Sequence, residues 1–167
     1  EHTATYNGEA GLQLNFIDRL ILGIKTGDLK LPFSNEITNQ SKILSNRNII
    51  QRARKVMPYL IYDKEPYTVV TNEGKIVWVL DAYTVSNEYP YSQKSMIEVG
   101  LYKKQINYIR NSVKVLIDSY DGTVDFYIMD KTDPIALAYS NIYSDIFKDG
   151  EEIPESISSH FVYPEYL

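Results

Sequence analysis

Residues 113–129 constrain the fold more than any other stretch. Val113, Val115 and Ile117 alternate with Lys114, Leu116 and Asp118, then Asp121 and Gly122 follow, then Val124, Phe126 and Ile128 alternate with Asp125, Tyr127 and Met129. Asp-Gly between two period-2 runs is the strongest short-range signature of a β-hairpin. With Asp121 and Gly122 as a two-residue loop, Asp118 is expected to face Asp125 across the ladder. Like charges opposed in this way destabilise a sheet, so a compensating partner is expected. Three are available: a cation such as Lys114 or Arg110, a bound calcium ion held by Asp118, Asp121 and Asp125, or a raised carboxyl pKa of the kind seen in catalytic acid pairs. The acids do not follow the alternate-position spacing of an EF-hand loop, so the calcium signal is weak.

A second hairpin precedes the first. Tyr67–Thr71 and Lys75–Thr84 flank Asn72, Glu73 and Gly74, which is turn chemistry. In the later run Ile76, Trp78, Leu80 and Ala82 point one way and Val77 and Val79 the other, the pattern of a central strand covered on both faces. Residues 85–105, with Pro90 and Gly100, read as a long polar connection.

Helices are expected on either side. Leu14, Ile17, Leu20, Ile21 and Ile24 recur at helical spacing, with Asn15 or Asn7 as cap and Gly27 as stop. Ile43, Leu44, Ile50, Ala53 and Met57 form a second periodic set that ends at Pro58, decorated by Lys42, Arg47, Arg52, Arg54 and Lys55. Asp133 and Pro134 open a third helix carrying Ile135, Tyr139, Ile142 and Ile146, stopped at Asp149–Gly150, and Pro154 opens a short fourth. Residues 1–11 are polar and expected to be a mobile arm. The expected fold is α+β: an antiparallel sheet built from two hairpins, flanked by N-terminal and C-terminal helices. Residues 1–60 form a helical lobe and 61–167 the sheet with its closing helices, integrated as one domain.

Composition excludes much and selects no activity. The 167 residues contain no cysteine, so neither a disulfide framework nor a cysteine-ligated metal site can exist. Two histidines, His2 and His160, are too few for a His-rich centre. Residues 1–60 hold 8 basic and 5 acidic side chains, residues 61–167 hold 9 and 17, and the total is −5. Such a balance argues against general nucleic-acid binding, which rests on phosphate neutralisation. The longest apolar runs are five residues, Ile76–Leu80 and Ile135–Tyr139, far short of the ~20 that cross a bilayer. Beginning at Glu1 rather than Met, the chain is expected to be an excised piece of something larger or a processed product. Fourteen of its 15 tyrosines lie at or after Tyr59. Trp78, Tyr89 and Tyr91 are candidate contacts for a sugar or peptide, with Asp63, Asp81 and Arg110 as polar partners.

Several phrases occur together in a recognisable order. They are Tyr62-Asp63-Lys64-Glu65-Pro66-Tyr67, Trp78-Val79-Leu80-Asp81-Ala82-Tyr83-Thr84, Tyr89-Pro90-Tyr91-Ser92, residues Asn107 to Lys114, Asp118-Ser119-Tyr120-Asp121-Gly122-Thr123-Val124 and Asp133-Pro134. On these the chain resembles uncharacterised protein family 0182 of bacterial multi-pass membrane proteins. Two departures are Val162, where Arg is usual before Tyr163-Pro164, and Tyr59, where Phe is usual. The resemblance implies a location outside the cytoplasmic membrane, within a large soluble region that follows a bundle of membrane helices. It implies the remainder of that protein as partner and supplies no reaction. The leading expectation is a noncatalytic binding or assembly role at the cell surface, with cell-wall glycan or peptide as ligand. The alternative is an envelope hydrolase acting through Asp63 and Asp81 or Asp118 and Asp125.

Overall fold

The computed structural model describes residues 6–8, 10–34, 37, 41–99 and 102–162. The chain divides into two compact units, Glu1–Arg47 and Asn48–Leu167.

The first unit is organised by helix α1, Phe16–Thr26. Asn15 caps it, its side chain accepting the Asp18 N–H at 2.9 Å while the Asp18 carboxylate accepts the Asn15 N–H at 3.3 Å. Gly27 stops it in the left-handed region at φ 74°, where a side chain is costly. Strands β1 (Leu12–Gln13) and β2 (Lys42–Ile43) pair antiparallel. The residues buried on α1 are Arg19 and Gly23, and Gly23 sits where a Cβ would lie 2.9 Å from the Asp28 carbonyl. All its large apolar residues but Leu22, which is half-buried, face water: Phe16, Ile17, Leu20, Ile21 and Ile24 are exposed. Within residues 1–11, part of the expected mobile arm is engaged: the Gly8 carbonyl accepts from Lys42 Nζ at 2.7 Å, and Lys42 lies 5.7 Å from the Tyr6 ring centroid. Residues 1–5 and 9 lie outside the described residues.

The second unit is a six-stranded sheet. Its members are β3 (Ile61–Tyr62), β4 (Tyr67–Val70), β5 (Ile76–Ser86), β8 (Tyr108–Asp118), β9 (Val124–Ile128) and β10 (Phe147–Asp149). Strand order is β10-β9-β8-β5-β3, with β4 also on β5. This corrects the picture of two flanked hairpins. The β4–β5 and β8–β9 hairpins exist, and β5 and β8 join them into one antiparallel sheet as expected, but that sheet has six strands because β3 also pairs with β5. A parallel strand, β10, is added beside β9 through helix α3 (Pro134–Ile142). Residues 85–105 are not a simple connection either: β5 runs on to Ser86, and β6 (Ser95–Val99) pairs with β7 (Tyr102–Ile106) in a hairpin of its own. Helix α2 is Ile49–Val56, shorter than the periodicity suggests, because Asn48 caps a new start and Ile43 belongs to β2.

β5 is covered on both faces, as its doubly apolar sequence requires. On one side Leu80 and Ala82 join Val113, Val115, Ile117 and Phe126 under Ala53 of α2, Met57 just after that helix, and Ala136 of α3. On the other, Val79, Val69, Leu116 and Tyr127 meet Ile153 and Ile157, the latter from helix α4 (Glu155–Ser158). Gly150 sits where a Cβ would lie 2.5 Å from the Ile128 carbonyl. Gly150→Ala is therefore expected to lower stability by about 2 kcal/mol in urea unfolding, because backbone has to shift.

The β8–β9 turn overturns the expected face-off of acids. Val124 pairs with Ile117 and Asp125 with Leu116, so Asp118 closes the loop opposite Thr123, two residues from the expected register. A two-residue turn of the primed type needs positive φ at both central positions. Asp118 instead accepts the N–H groups of Tyr120 (2.7 Å) and Asp121 (2.8 Å), winding the loop as a helical turn that only Gly122 leaves at positive φ, 68°. Arg52 Nε donates to the Gly122 carbonyl at 2.5 Å, so this member of the basic set is bound to the turn.

Candidate functional site

Three strands place a charged row on the face that carries Val79. Asp63 N–H donates to the Asp81 carbonyl at 3.0 Å, making the two acids cross-strand neighbours, and Asp81 is paired in register with Lys114 of β8. All three side chains are buried. Asp81 Oδ1 accepts from Lys114 Nζ at 2.5 Å and from Asn111 Nδ2 at 2.6 Å. Asp63 Oδ1 accepts the Lys64 N–H at 2.6 Å, and Oδ2 accepts the Tyr83 hydroxyl at 3.2 Å. The Phe161 ring covers Lys114, with Nζ 4.9 Å from its centroid, and Val162 N–H donates to the Tyr67 hydroxyl at 3.1 Å.

Asn111 can reach Asp81 because β8 carries one extra residue. Ala82 pairs with Val113 but Thr84 pairs with Arg110, so Asn111 and Ser112 together oppose Tyr83. Such a bulge re-aims side chains. Ser112 turns to Asp133, the cap of α3, whose Oδ2 accepts the hydroxyls of Ser112 and Thr84. Asp133 Oδ1 accepts the Tyr108 hydroxyl at 2.7 Å and the Ile135 N–H at 2.9 Å. Burial and the bond to Asp133 push the Tyr108 phenol well above its ordinary range.

Tyr108 leads out to the surface. Its ring stacks on Tyr89 at 4.7 Å, and the Arg110 guanidinium lies 5.8 Å from its centroid. Arg110 donates to Asp130 Oδ2 and Thr132 Oγ1, both at 3.0 Å. Asn107 clamps the neighbouring loop: its Oδ1 accepts the Tyr89 N–H at 3.0 Å, its Nδ2 donates to the Tyr89 carbonyl at 2.7 Å, and its own carbonyl accepts Ser92 Oγ at 2.7 Å. Tyr91, fully exposed, follows Pro90 at φ 61°. That is the conformation a type II turn reserves for Gly or Asn, and for a bulky residue it costs roughly 1–2 kcal/mol.

The structure thus separates the sequence candidates. Tyr89, Tyr91 and Arg110 share one region. Trp78 does not: it sits at the far end of β5, half-buried against the core beneath α2 and α3, and its side chain lies on the opposite face from Asp63 and Asp81. Asp118 caps its own turn, and Asp125 pairs with Lys148 at 2.7 Å. Among the described residues no group of three or more His, Asp or Glu side chains could hold a metal ion. Asp118, Ser119, Tyr120 and Asp121 do line a shallow cleft of about 520 Å³ with Gly74, Lys75 and Ile76. His160 is exposed, with Nδ1 3.1 Å from the Ser156 carbonyl, whereas His2, Tyr163 and Pro164 lie outside the described residues. The residues missed in sequence are Asn107, which looks like ordinary loop composition, and Thr84 and Ser112, whose partner Asp133 lies 21 or more positions away.

Fold and site together define a mixed α+β module whose central acids, Asp63 and Asp81, are buried and hydrogen-bonded within the sheet and whose loop carries the exposed rings of Tyr89 and Tyr91. The model of the uncharacterised protein family UPF0182 matches residues 1–167, and the chain belongs to that family. It is 49% identical over 165 residues to a UPF0182 protein of Clostridium acetobutylicum, covering 99% of this chain and 17% of that relative. A UPF0182 protein of Clostridium novyi is 48% identical over 163 residues, covering 98% and 17%, and one of Clostridium botulinum strain Hall is 47% identical over 165, covering 99% and 18%. The chain therefore spans less than a fifth of the length of these curated relatives. No solved structure matches it. Among the described residues no helix is long and apolar enough to cross a membrane.

Proposed function

We propose that this chain is a noncatalytic assembly module within a much longer bacterial membrane protein, lying outside the cytoplasmic membrane. The observation that carries this reading is the exposed apolar face of α1. Phe16, Ile17, Leu20, Ile21 and Ile24 recur on one side of the helix, with Leu12, Leu29 and Phe33 also exposed in the same unit. Contiguous apolar surface of this kind marks an interface. Its occupant is an apolar segment of the same polypeptide outside these 167 residues, since the relatives that match are more than five times as long as the stretch they share with it. The face itself offers no charge to steer a soluble ligand.

Ile17→Asn/Ile21→Asn tests this. In the 167-residue chain alone the double variant is expected to change stability by no more than about 0.5 kcal/mol per site and to improve solubility. In the full-length protein it is expected to loosen docking, seen as faster limited proteolysis within this region. An unchanged cleavage rate in the full-length protein sinks the reading.

A second reading, an envelope hydrolase acting through Asp63 and Asp81, is favoured by one observation, their adjacency across β3 and β5. It requires Asp63→Asn to abolish hydrolysis of purified cell-wall polymer by the full-length protein. Hydrolysis unaffected by that change removes Asp63 from the chemistry.

A further inference from the structure

Tyr91 presents a puzzle that packing does not solve. Its ring is fully exposed, its backbone occupies a strained region, and neighbouring hydrogen bonds from Asn107 hold the turn in place. Strain of this kind persists where a site over-determines the conformation, and it clusters at ligand-binding positions. Two residues away Tyr89 is 43% exposed and rests on Tyr108, which Asp133 anchors to the core. Asn107 thus pins the chain at Tyr89 and Ser92, on either side of Tyr91, and one short loop carries two aromatic rings exposed to water.

We propose that Tyr89 and Tyr91, backed by Tyr108, form a platform that binds a saccharide chain. Aromatic rings with an apolar face and a polar tip suit a ligand that is itself amphipathic, and a pyranose presents C–H groups on its flat face and hydroxyls around its edge. Arg110, Asp130 and Thr132 supply the edge chemistry. Their side chains are already bonded to one another, so donors and acceptors are held in fixed positions and the guanidinium charge is neutralised by the carboxylate. A neutral, hydroxyl-rich ligand fits this rim better than a phosphate, which would need uncompensated positive charge. The exposure of Tyr91 suits an oligomer lying along the surface more than a small molecule enclosed in a cavity. This surface is distinct from the α1 face, and its failure would leave the assembly reading standing.

The test is calorimetric titration of the 167-residue chain with chitotetraose, cellotetraose and maltotetraose, alongside a polyproline peptide. At least one saccharide is expected to saturate, and Tyr91→Ala is expected to weaken it by roughly tenfold or more. Tyr91→Gly separates binding from folding: it relieves the backbone and is expected to raise the melting temperature while losing the saccharide. Saturation by no saccharide at millimolar concentration overturns the proposal. So does affinity unchanged in both Tyr91→Ala and Tyr89→Ala, or saturation by polyproline alone. Ile17→Asn/Ile21→Asn is expected to bind saccharide as the parent chain does.

Discussion

Asp81→Ala is expected to cost about 3–5 kcal/mol of unfolding free energy, because it leaves the Lys114 ammonium buried without its counter-ion. Both side chains are almost fully buried and lie 2.5 Å apart, so the loss should be nearly independent of salt, unlike that of an exposed pair. The carboxylate also takes the Asn111 amide, and that donor is orphaned in the same variant. Removing both charges in Asp81→Ala/Lys114→Met is expected to recover most of the loss, since apolar replacements of buried ion pairs are often neutral or better. Urea unfolding of the single and double variants measures the coupling directly. A loss below about 1 kcal/mol in the single variant means that water reaches the pair and that it behaves as a surface ion pair does.

The second large effect falls on Asp133. Asp133→Ala removes the cap of α3, worth about 1 kcal/mol, and leaves the hydroxyls of Thr84, Ser112 and Tyr108 without their acceptor, each worth a further 1 kcal/mol or more where buried. A total of roughly 3 kcal/mol or more is expected. The same carboxylate predicts the acid limb of the stability profile. Burial raises its pKa, but hydrogen bonds from Ser112, Thr84, Tyr108 and the Ile135 N–H outweigh that and hold it below the ordinary carboxyl value. A depressed folded-state pKa stabilises the protein fully above the unfolded value of about 3.9, and the contribution fades as pH falls through the lower folded value. Asp133→Asn should flatten that part of the profile. If the variant and the parent lose stability in parallel between pH 5 and pH 2, as followed by thermal melting, the assignment is wrong.

How much of this was legible depended on the range of the interaction. The Asn15 cap, the Gly27 stop and the Asp133-Pro134 start were readable because a cap is decided within four residues. The Tyr67–Thr84 hairpin was readable through Asn72, Glu73 and Gly74 for the same reason. The register of the Asp121-Gly122 hairpin was not, because it turned on whether the Asp118 carboxylate would fold back on its own loop. Lys114, one of the cations available to Asp118 and Asp125 in the sequence, pairs with Asp81 instead. It stands beside Asp81 only because β5 and β8 pair, a long-range choice that local alternation does not encode. The amphipathic stripe of α1 was visible, but periodicity says which residues share a face and nothing about what covers it. For the site, residues in one loop, Tyr89 and Tyr91, stayed together, while Trp78 was separated by the length of a strand.

The neighbours of β5 carry a consequence for growth of the sheet. One side of that strand is met by two short pieces, β3 and β4, with the Asp63–Pro66 excursion between them, and the far edge of the sheet is the three-residue β10 carrying Lys148. Neither rim offers a long, flat row of free amides and carbonyls, the template on which strands of other chains nucleate. The six-stranded sheet is therefore closed to extension by a foreign strand. In concentrated solution this sheet should not template amyloid-type fibrillation, and any self-association through it should respond to changes in side chains while leaving its backbone ladder as it is.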